Sequence, residues 1–215
     1  MRSLTFAIES AEAVPFAAAP AIAFKLRVAN STSDEDIQSV ALRCQIQIEA
    51  ARRRYSSGER EELVDLFGDP DRWSQTLRSL LWAHTGITVP AFSSGTVVDL
   101  PVPCTFDFNV AATKYFHAIQ DGDLPLCFQF SGTIFYPNPD GALQITQINW
   151  DKETKFRLPA KVWHDMMDLY YPNSAWLRLR RDVFERLYEY KRQQGLATWE
   201  QALENLLQLE KEAVS

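Results

Sequence analysis

Two stretches near the amino terminus alternate between apolar and polar residues at every second position. They run from Ile22 to Val28 and from Val40 to Ile48, and a weaker example runs from Leu4 to Glu9. A strand with this pattern is hydrophobic on one face only, so it must pack against a second layer. The pattern resembles one half of an antiparallel immunoglobulin-like β-sandwich, without the Cys-Trp-Cys residues of antibody domains.

Helical periodicity interrupts the strand pattern at about residues 56–85. Ser56 with Glu59 fits a capping box at the start of one helix. Asp69 suits the N-cap of a second helix because a proline follows it, and this helix is predicted to end near Gly86. We therefore expect a helical insertion within the sandwich.

The chain from Pro159 onward is predicted to be helical. Gly195 is placed to end one helix, and Thr198 with Gln201 fits a capping box that begins the last. The expected fold class is α+β, with residues 1–158 as the sandwich and residues 159–215 as a helical layer docked on the same core. At 215 residues and 46% hydrophobic composition, one core is sufficient.

The segments Phe106 to Ala118 and Leu124 to Tyr136 are predicted to form a long antiparallel hairpin. Aromatic and β-branched residues fill both segments, and Gln-Asp-Gly-Asp separates them. Even-numbered residues carry the apolar side chains in both, so even numbers must oppose even numbers. Paired numbers that sum to 244 satisfy this condition and place His117 opposite Cys127.

The pair His117 and Cys127 is the candidate site for chemistry. An imidazole beside a thiol can lower the thiol pKa and create a nucleophile, or the two can supply half of a metal site. Cys104 lies too far along the predicted ladder to add a third ligand. The simpler interpretation is that His117 is hydrogen-bonded on a polar sheet surface.

Charge and composition limit the classes of partner. The net charge is −6 and the pI is about 5.1, which argues against a nucleic-acid binder because phosphate recognition needs concentrated Lys and Arg. No segment approaches membrane-spanning length, and the amino terminus lacks the uninterrupted apolar core of a signal peptide. Three cysteines are an odd number, which favours a reducing cytoplasm over a disulfide framework.

Common catalytic signatures are missing from the sequence. It has no phosphate-binding glycine loop, nucleophile elbow, Cys-x-x-Cys or His-Glu-x-x-His motif. We therefore expect a protein that is not an enzyme, with no cofactor and no metal.

The carboxy-terminal half is rich in aromatic residues and arginine, which leaves two interpretations open. The aromatic side chains can form the seam between helices and sheet, or some can be anchors on a recognition surface. Tyr188 and Trp199 are the first candidates for recognition, with Arg178 and Arg181 beside them. Solvated surface is the simpler interpretation of the arginines, and an acidic partner surface is the alternative.

Four segments together resemble an uncharacterised bacterial family classified as a domain of unknown function. The segments are VPCTFDFNVAATKYFHAIQDGDLPLCFQFSGTIFY, INWDKETKFRLPAKVW, YYPNSAWLRLRRDVFERLYEYK and LFGDPDRWSQTLRSLLWAHT. Members of that family are often encoded in gene clusters for actinobacterial-type, high-affinity nickel-iron hydrogenases. The resemblance covers nearly the whole chain and implies an accessory role in assembly or maturation of a metalloenzyme, with no catalytic residues to carry over.

The predicted function is therefore that of a non-catalytic protein-binding accessory factor in the cytoplasm. Its partner is another protein, and the sequence leaves the identity of that protein and the oligomeric state open. One alternative is a thiol- or metal-dependent enzyme centred on His117 and Cys127. Another is a small-molecule carrier with a cavity between sheet and helices.

Overall fold

Eight strands form two antiparallel sheets in the computed structural model, which describes residues 3–31, 36–105, 110–174, 177 and 179–213, with side chains to residue 208. The strands are β1 (Leu4–Ala13), β2 (Ala21–Asn30), β3 (Ser39–Ile48), β4 (Leu80–Val89), β5 (Gly95–Pro103), β6 (Asp123–Pro137), β7 (Leu143–Gln147) and β8 (Glu153–Pro159). The smaller sheet has the order β1-β2-β5. The larger has the order β4-β3-β6-β7, and β8 pairs with β6 as well.

Aromatic side chains join the two sheets face to face. The Phe24 ring on β2 lies 5.0 Å from the Phe128 ring on β6 and 6.0 Å from the Trp82 ring on β4, centroid to centroid. Phe6 on β1 stacks on Phe130 of β6 at 4.3 Å. Alternation along each strand aims these rings into one shared core, as the amino-terminal sequence pattern predicts.

Strand β6 is central to the larger sheet. Its central part pairs with β3 on one edge, from Leu126 opposite Ile48 to Phe135 opposite Ser39. On the other edge its first half pairs with β8 and its second half with β7. The partners of β6 are therefore β3, β7 and β8, and none of them contains residues 106–118.

The predicted hairpin is wrong in its first segment. Residues from Val110 to Ala118 form helix α4 (Val110–Ala118), and residues 106–109 lie outside the described part of the chain. Ala112, Tyr115 and Phe116 are buried at three- and four-residue spacing, which is the period of a helix. The aromatic and β-branched content favoured a strand, but packing against the core selected a helix.

The helical insertion is shorter than predicted. It contains α1 (Ser57–Glu62), α2 (Val64–Phe67) and α3 (Trp73–Thr76), while the residues expected to end a helix near Gly86 form β4 instead. The capping box is confirmed: the Glu59 amide donates to Ser56 Oγ at 3.3 Å, and the Ser56 amide donates to Glu59 Oε2 at 2.9 Å.

The chain divides into two compact units, Met1–Asn173 and Ser174–Ser215. The first contains both sheets and helix α5 (Ala160–Tyr170), which buries Trp163 and Met166. The Tyr170 hydroxyl donates to the Val14 carbonyl at 2.7 Å, which fastens α5 to the turn after β1. The second contains α6 (Arg181–Gln193) and α7 (Trp199–Ala213). Docking of residues 159–215 on the sandwich as one layer stays a prediction for these last two helices.

None of the helices in the described ranges combines the length and apolar composition needed to cross a membrane.

Candidate functional site

The structure separates the residues of the predicted thiol–imidazole pair. Cys127 lies on β6, opposite Gln47 of β3 and Lys155 of β8, whereas His117 is exposed near the end of α4. The pairing with a sum of 244 is therefore wrong, because it required His117 to be on a strand beside β6. No nucleophile activated by this histidine can form from the predicted register.

All three thiols are buried and free. Burial is the main cause that raises the pKa of Cys127 to about 11, and Glu153, whose carboxylate accepts from the thiol at 3.7 Å, raises it further. Burial likewise raises the pKa of Cys44 and of Cys104 to about 12. Thiolates are scarce at neutral pH under these conditions. Within the described residues, no three His, Cys, Asp or Glu side chains are grouped to hold a metal ion.

His117 instead lines a surface groove of about 690 Å³ beside α1. Arg53 also lines this groove. It forms a two-bond ion pair with Glu59, and both N–O distances are 2.9 Å. Each of the two side chains is 11% exposed. Arg53 also donates to the Asp123 carbonyl at 3.1 Å, so this network ties α1 to the start of β6.

The two helices of the second unit form a short hairpin. Asp182 lies in the first turn of α6 and Lys191 and Arg192 lie in the last, which suits the helix dipole. Gly195 ends the turn with a φ of 63°, as predicted. The predicted second capping box is confirmed, since the backbone N–H of Gln201 donates to Thr198 Oγ1 at 3.2 Å.

This hairpin brings Tyr188 and Trp199 together with Phe184. The Trp199 ring lies 5.3 Å from Phe184 and 6.1 Å from Tyr188, and the latter two stack at 6.4 Å. Phe184 and Tyr188 are one helical turn apart on the same face of α6. Lys191 Nζ lies 5.5 Å from the centre of the Trp199 ring, in cation–π geometry. We call Phe184, Tyr188 and Trp199 the aromatic cluster.

The aromatic cluster is open to solvent. Phe184 is 45% exposed and Tyr188 54% exposed. Three leucines on α7, namely Leu203, Leu206 and Leu207, continue from Trp199 at helical spacing and are also exposed. We call these three the leucine row. Together the two groups form an apolar surface of the kind that protein partners cover.

One of the two predicted arginines, Arg181, lies within the described residues. Arg181 lies seven residues before Tyr188 on α6, and its Nε donates to Glu185 at 2.9 Å in an exposed ion pair. Arg178 lies outside the described residues. Sequence reasoning did not select Phe184 or the leucine row, although the four-residue spacing from Phe184 to Tyr188 was the available signal.

Comparison with solved structures detects a protein named ApaA from Bordetella pertussis, at 14% sequence identity, over 74% of this chain and 95% of that one. The TM-score is 0.25, so the likeness carries no argument about fold or function. Comparison with curated protein sequences finds no match. A family model described as a family of unknown function, DUF6084, matches residues 1–215, and the chain therefore belongs to that family.

Proposed function

We propose that the protein is a non-catalytic accessory factor that binds another protein through the α6–α7 hairpin. The observation that supports this most directly is the solvent-open aromatic cluster and its continuation into the leucine row. Aromatic residues and arginine are the common anchors of protein interfaces. The spacing along α7 suits an amphipathic helix of the partner, which would lay its own apolar face against the leucine row.

The chemistry of the thiols supports a binding role over the enzyme alternative. A nucleophilic cysteine needs a lowered pKa and access to substrate. Cys127 has neither, because its side chain is buried and its pKa is raised.

A metalloenzyme such as a nickel-iron hydrogenase is the partner that we propose. The support for this step is the resemblance to a family encoded near such enzymes, and no contact in the molecule identifies the partner. Co-purification of the tagged protein with products of neighbouring genes tests it. Recovery of a hydrogenase subunit by the wild-type chain is the expected result, and consistent recovery of none would contradict this assignment.

The binding surface can be tested separately with charge substitutions. Leu207→Glu and Tyr188→Glu each place a carboxylate in the apolar surface at a solvent-open position, so both variants should fold normally. We expect each to weaken partner binding by about tenfold or more, since desolvating an unpaired charge is costly. Ile145→Glu on β7 is the matched control, because Ile145 is similarly exposed and lies in the first unit. Equal loss in all three variants would contradict the proposed surface.

Two further assignments are part of the proposal. The immunoglobulin-like arrangement of the first unit is supported by its two antiparallel sheets and the aromatic seam between them. A cytoplasmic location is supported by the odd number of cysteines.

A further inference from the structure

A surface groove lies on the outer face of the larger sheet, away from the aromatic seam. The groove there has a volume of about 680 Å³, within the range of ligand sites in proteins. Strand register sets its floor in two rows: Gly86, Arg43 and Ser131 form one, and His84, Gln45 and Gln129 form the other. Trp150, which follows β7, stands at the rim and is 94% exposed.

The small residues of the first row create the depression. Gly86 lies opposite Arg43 on β4, and a Cβ at Gly86 would approach the Leu42 carbonyl oxygen at 3.0 Å and Arg43 Cγ at 3.8 Å. Ser131 flanks Arg43 on the other side. Arg43 therefore lies in register between two small residues, a glycine and a serine.

Three lining side chains have no partner within the described part of the chain. Arg43, His84 and Trp150 have no intramolecular ion pair, side-chain hydrogen bond or ring contact there. Arg43 is a permanent cation that neighbouring carboxylates leave uncompensated, because no Asp or Glu lines the groove. The carboxylate nearest in register, Glu153 opposite Gln129, accepts from the Cys127 thiol.

Neighbouring amides add both donors and acceptors to the groove. Gln129 Oε1 accepts from Gln45 Nε2 at 3.3 Å and from Gln47 Nε2 at 3.4 Å. These two bonds occupy the Gln129 carbonyl and leave its amino group as a donor. The Arg43 guanidinium, the Gln129 amino group and the Trp150 indole N–H can donate into the groove, whereas the Ser131 hydroxyl and the Gln45 carbonyl can accept. Arg43 is the one lining residue with a permanent charge, which favours an anionic ligand.

We propose that this groove binds an acidic segment of a partner protein, with Arg43 pairing a carboxylate and Trp150 covering an adjacent apolar side chain. Charge complementarity carries the assignment: the chain has a net charge of −6, yet the groove is lined by a cation and no anion. A carboxylate matches the planar fork of arginine. A nucleic acid would need several phosphate-neutralising cations, which the groove lacks.

The groove lies on an open sheet face, and this position favours a peptide over a small organic acid. Strong sites for small molecules enclose most of the ligand surface. A groove on an open sheet face leaves one side of a small acid in water, whereas a peptide can contact the floor, the arginine and the rim tryptophan together. Trp and Arg are also the residues most enriched at interface hot spots.

Calorimetric titration of the full chain with two capped hexapeptides tests the proposal. One peptide alternates glutamate with phenylalanine, and the other replaces each glutamate with glutamine. We expect the glutamate peptide to bind at least about tenfold more tightly, and Arg43→Gln to remove that preference, since a charged hydrogen bond contributes roughly one such factor or more. Trp150→Ala should weaken both peptides by a similar factor.

Arg78→Gln is the matched control because Arg78 is exposed and lies outside the groove. It should leave both affinities unchanged. Equal affinity for the two peptides, no binding of either, or wild-type binding by Arg43→Gln would overturn the proposal. Glutarate serves as the small-acid probe, and binding of glutarate as tightly as the glutamate peptide would assign the groove to a small organic acid instead. The Leu207→Glu variant should bind the peptides like the wild type, which keeps this result separate from the hairpin surface.

Discussion

Gly132 marks the closest backbone approach between β6 and β3. Its φ is 144°, in a region that side-chain-bearing residues rarely adopt, and a Cβ there would lie 2.1 Å from the Ala41 carbonyl oxygen. That distance is far inside van der Waals contact. The strand can therefore keep its register with β3 only if this position has no side chain.

Gly132→Ala should reduce the free energy of unfolding by about 3 kcal/mol or more, through combined backbone strain and steric overlap. Urea denaturation measures the change. Gly58→Ala is the matched control, because a Cβ at Gly58 meets nothing within 4 Å and the residue lies inside α1. The control should be neutral or slightly stabilising, and equal losses in the two variants would contradict the steric explanation.

Glu59 gives the fold a dependence on pH. Burial opposes ionisation of Glu59, but hydrogen bonds from Arg53 and Ser56 outweigh burial and hold its pKa below the ordinary value of 4.5. A carboxyl group with a lowered pKa in the folded state stabilises the fold above its unfolded pKa. That contribution is lost as the pH falls through the folded-state pKa.

Glu59→Gln should therefore lower stability by about 1–2 kcal/mol at pH 7, allowing for partial solvent screening of the pair. The difference from wild type should shrink as the pH falls from 5 towards 3. Urea denaturation at several pH values measures it, with Glu62→Gln as an exposed control on the same helix. A difference that stays constant down to pH 3 would show that the ionised carboxylate is not the stabilising species.

Residue patterns that depend on local hydrogen bonds were predictable from sequence. The Ser56–Glu59 and Thr198–Gln201 capping boxes were predicted and are present. The predicted pairing of His117 with Cys127 is absent, because it depended on which distant strand lies beside β6, and local sequence does not encode that choice.

Helix α4 shows the limit of prediction at the scale of an element. Its residues have strand propensity, but burial of Ala112, Tyr115, Phe116 and Ile119 at helical spacing outweighs that propensity. Alternation from Phe106 onward suggested a strand only because phenylalanine and alanine fit either period. The β2 and β3 strands have longer, stricter alternation and were predicted correctly.

The α6–α7 hairpin belongs to the second compact unit. The large cluster of buried core residues draws its described members from Leu4 to Met166, so none comes from the second unit. The hairpin also carries the surface proposed for binding, and its loss should affect binding before it affects the sheets.

A chain ending at residue 173 should therefore fold and melt cooperatively, within about 4 °C of the full chain. Circular dichroism during heating measures this. A chain ending at residue 159 is the control, because it loses Trp163 and Met166 from the core and should not fold stably. A non-cooperative melt of the 1–173 chain would mean that the hairpin is needed to hold the sheets.

The reactivity of the three buried thiols should report whether the whole molecule is folded. Cys44, Cys104 and Cys127 all have pKa values raised to about 11–12, mainly by burial. In the native protein at pH 7.5, a thiol-specific reagent should react far more slowly than with a free cysteine, and all three thiols should react after denaturation. Rapid reaction of Cys127 in the native state would favour the thiol-enzyme alternative.

The architecture of the whole molecule was partly predictable. One-sided strands required two packed layers, and two antiparallel sheets are present. The partners of each strand were not predictable, since several strands share the same alternation and differ only in which neighbours cover their edges.

The position of β6 also governs how the chain can fold as it is synthesised. Ser39 pairs with Phe135 and Ile48 with Leu126. Strand β3 is therefore synthesised many residues before its partner β6. Its hydrophobic face and unpaired edge are exposed during that interval. Closing such long loops makes folding slow, and exposed strand edges in the nascent chain are targets for chaperones and for aggregation. The larger sheet can be completed only after β8 has been synthesised, when about three quarters of the chain has been made.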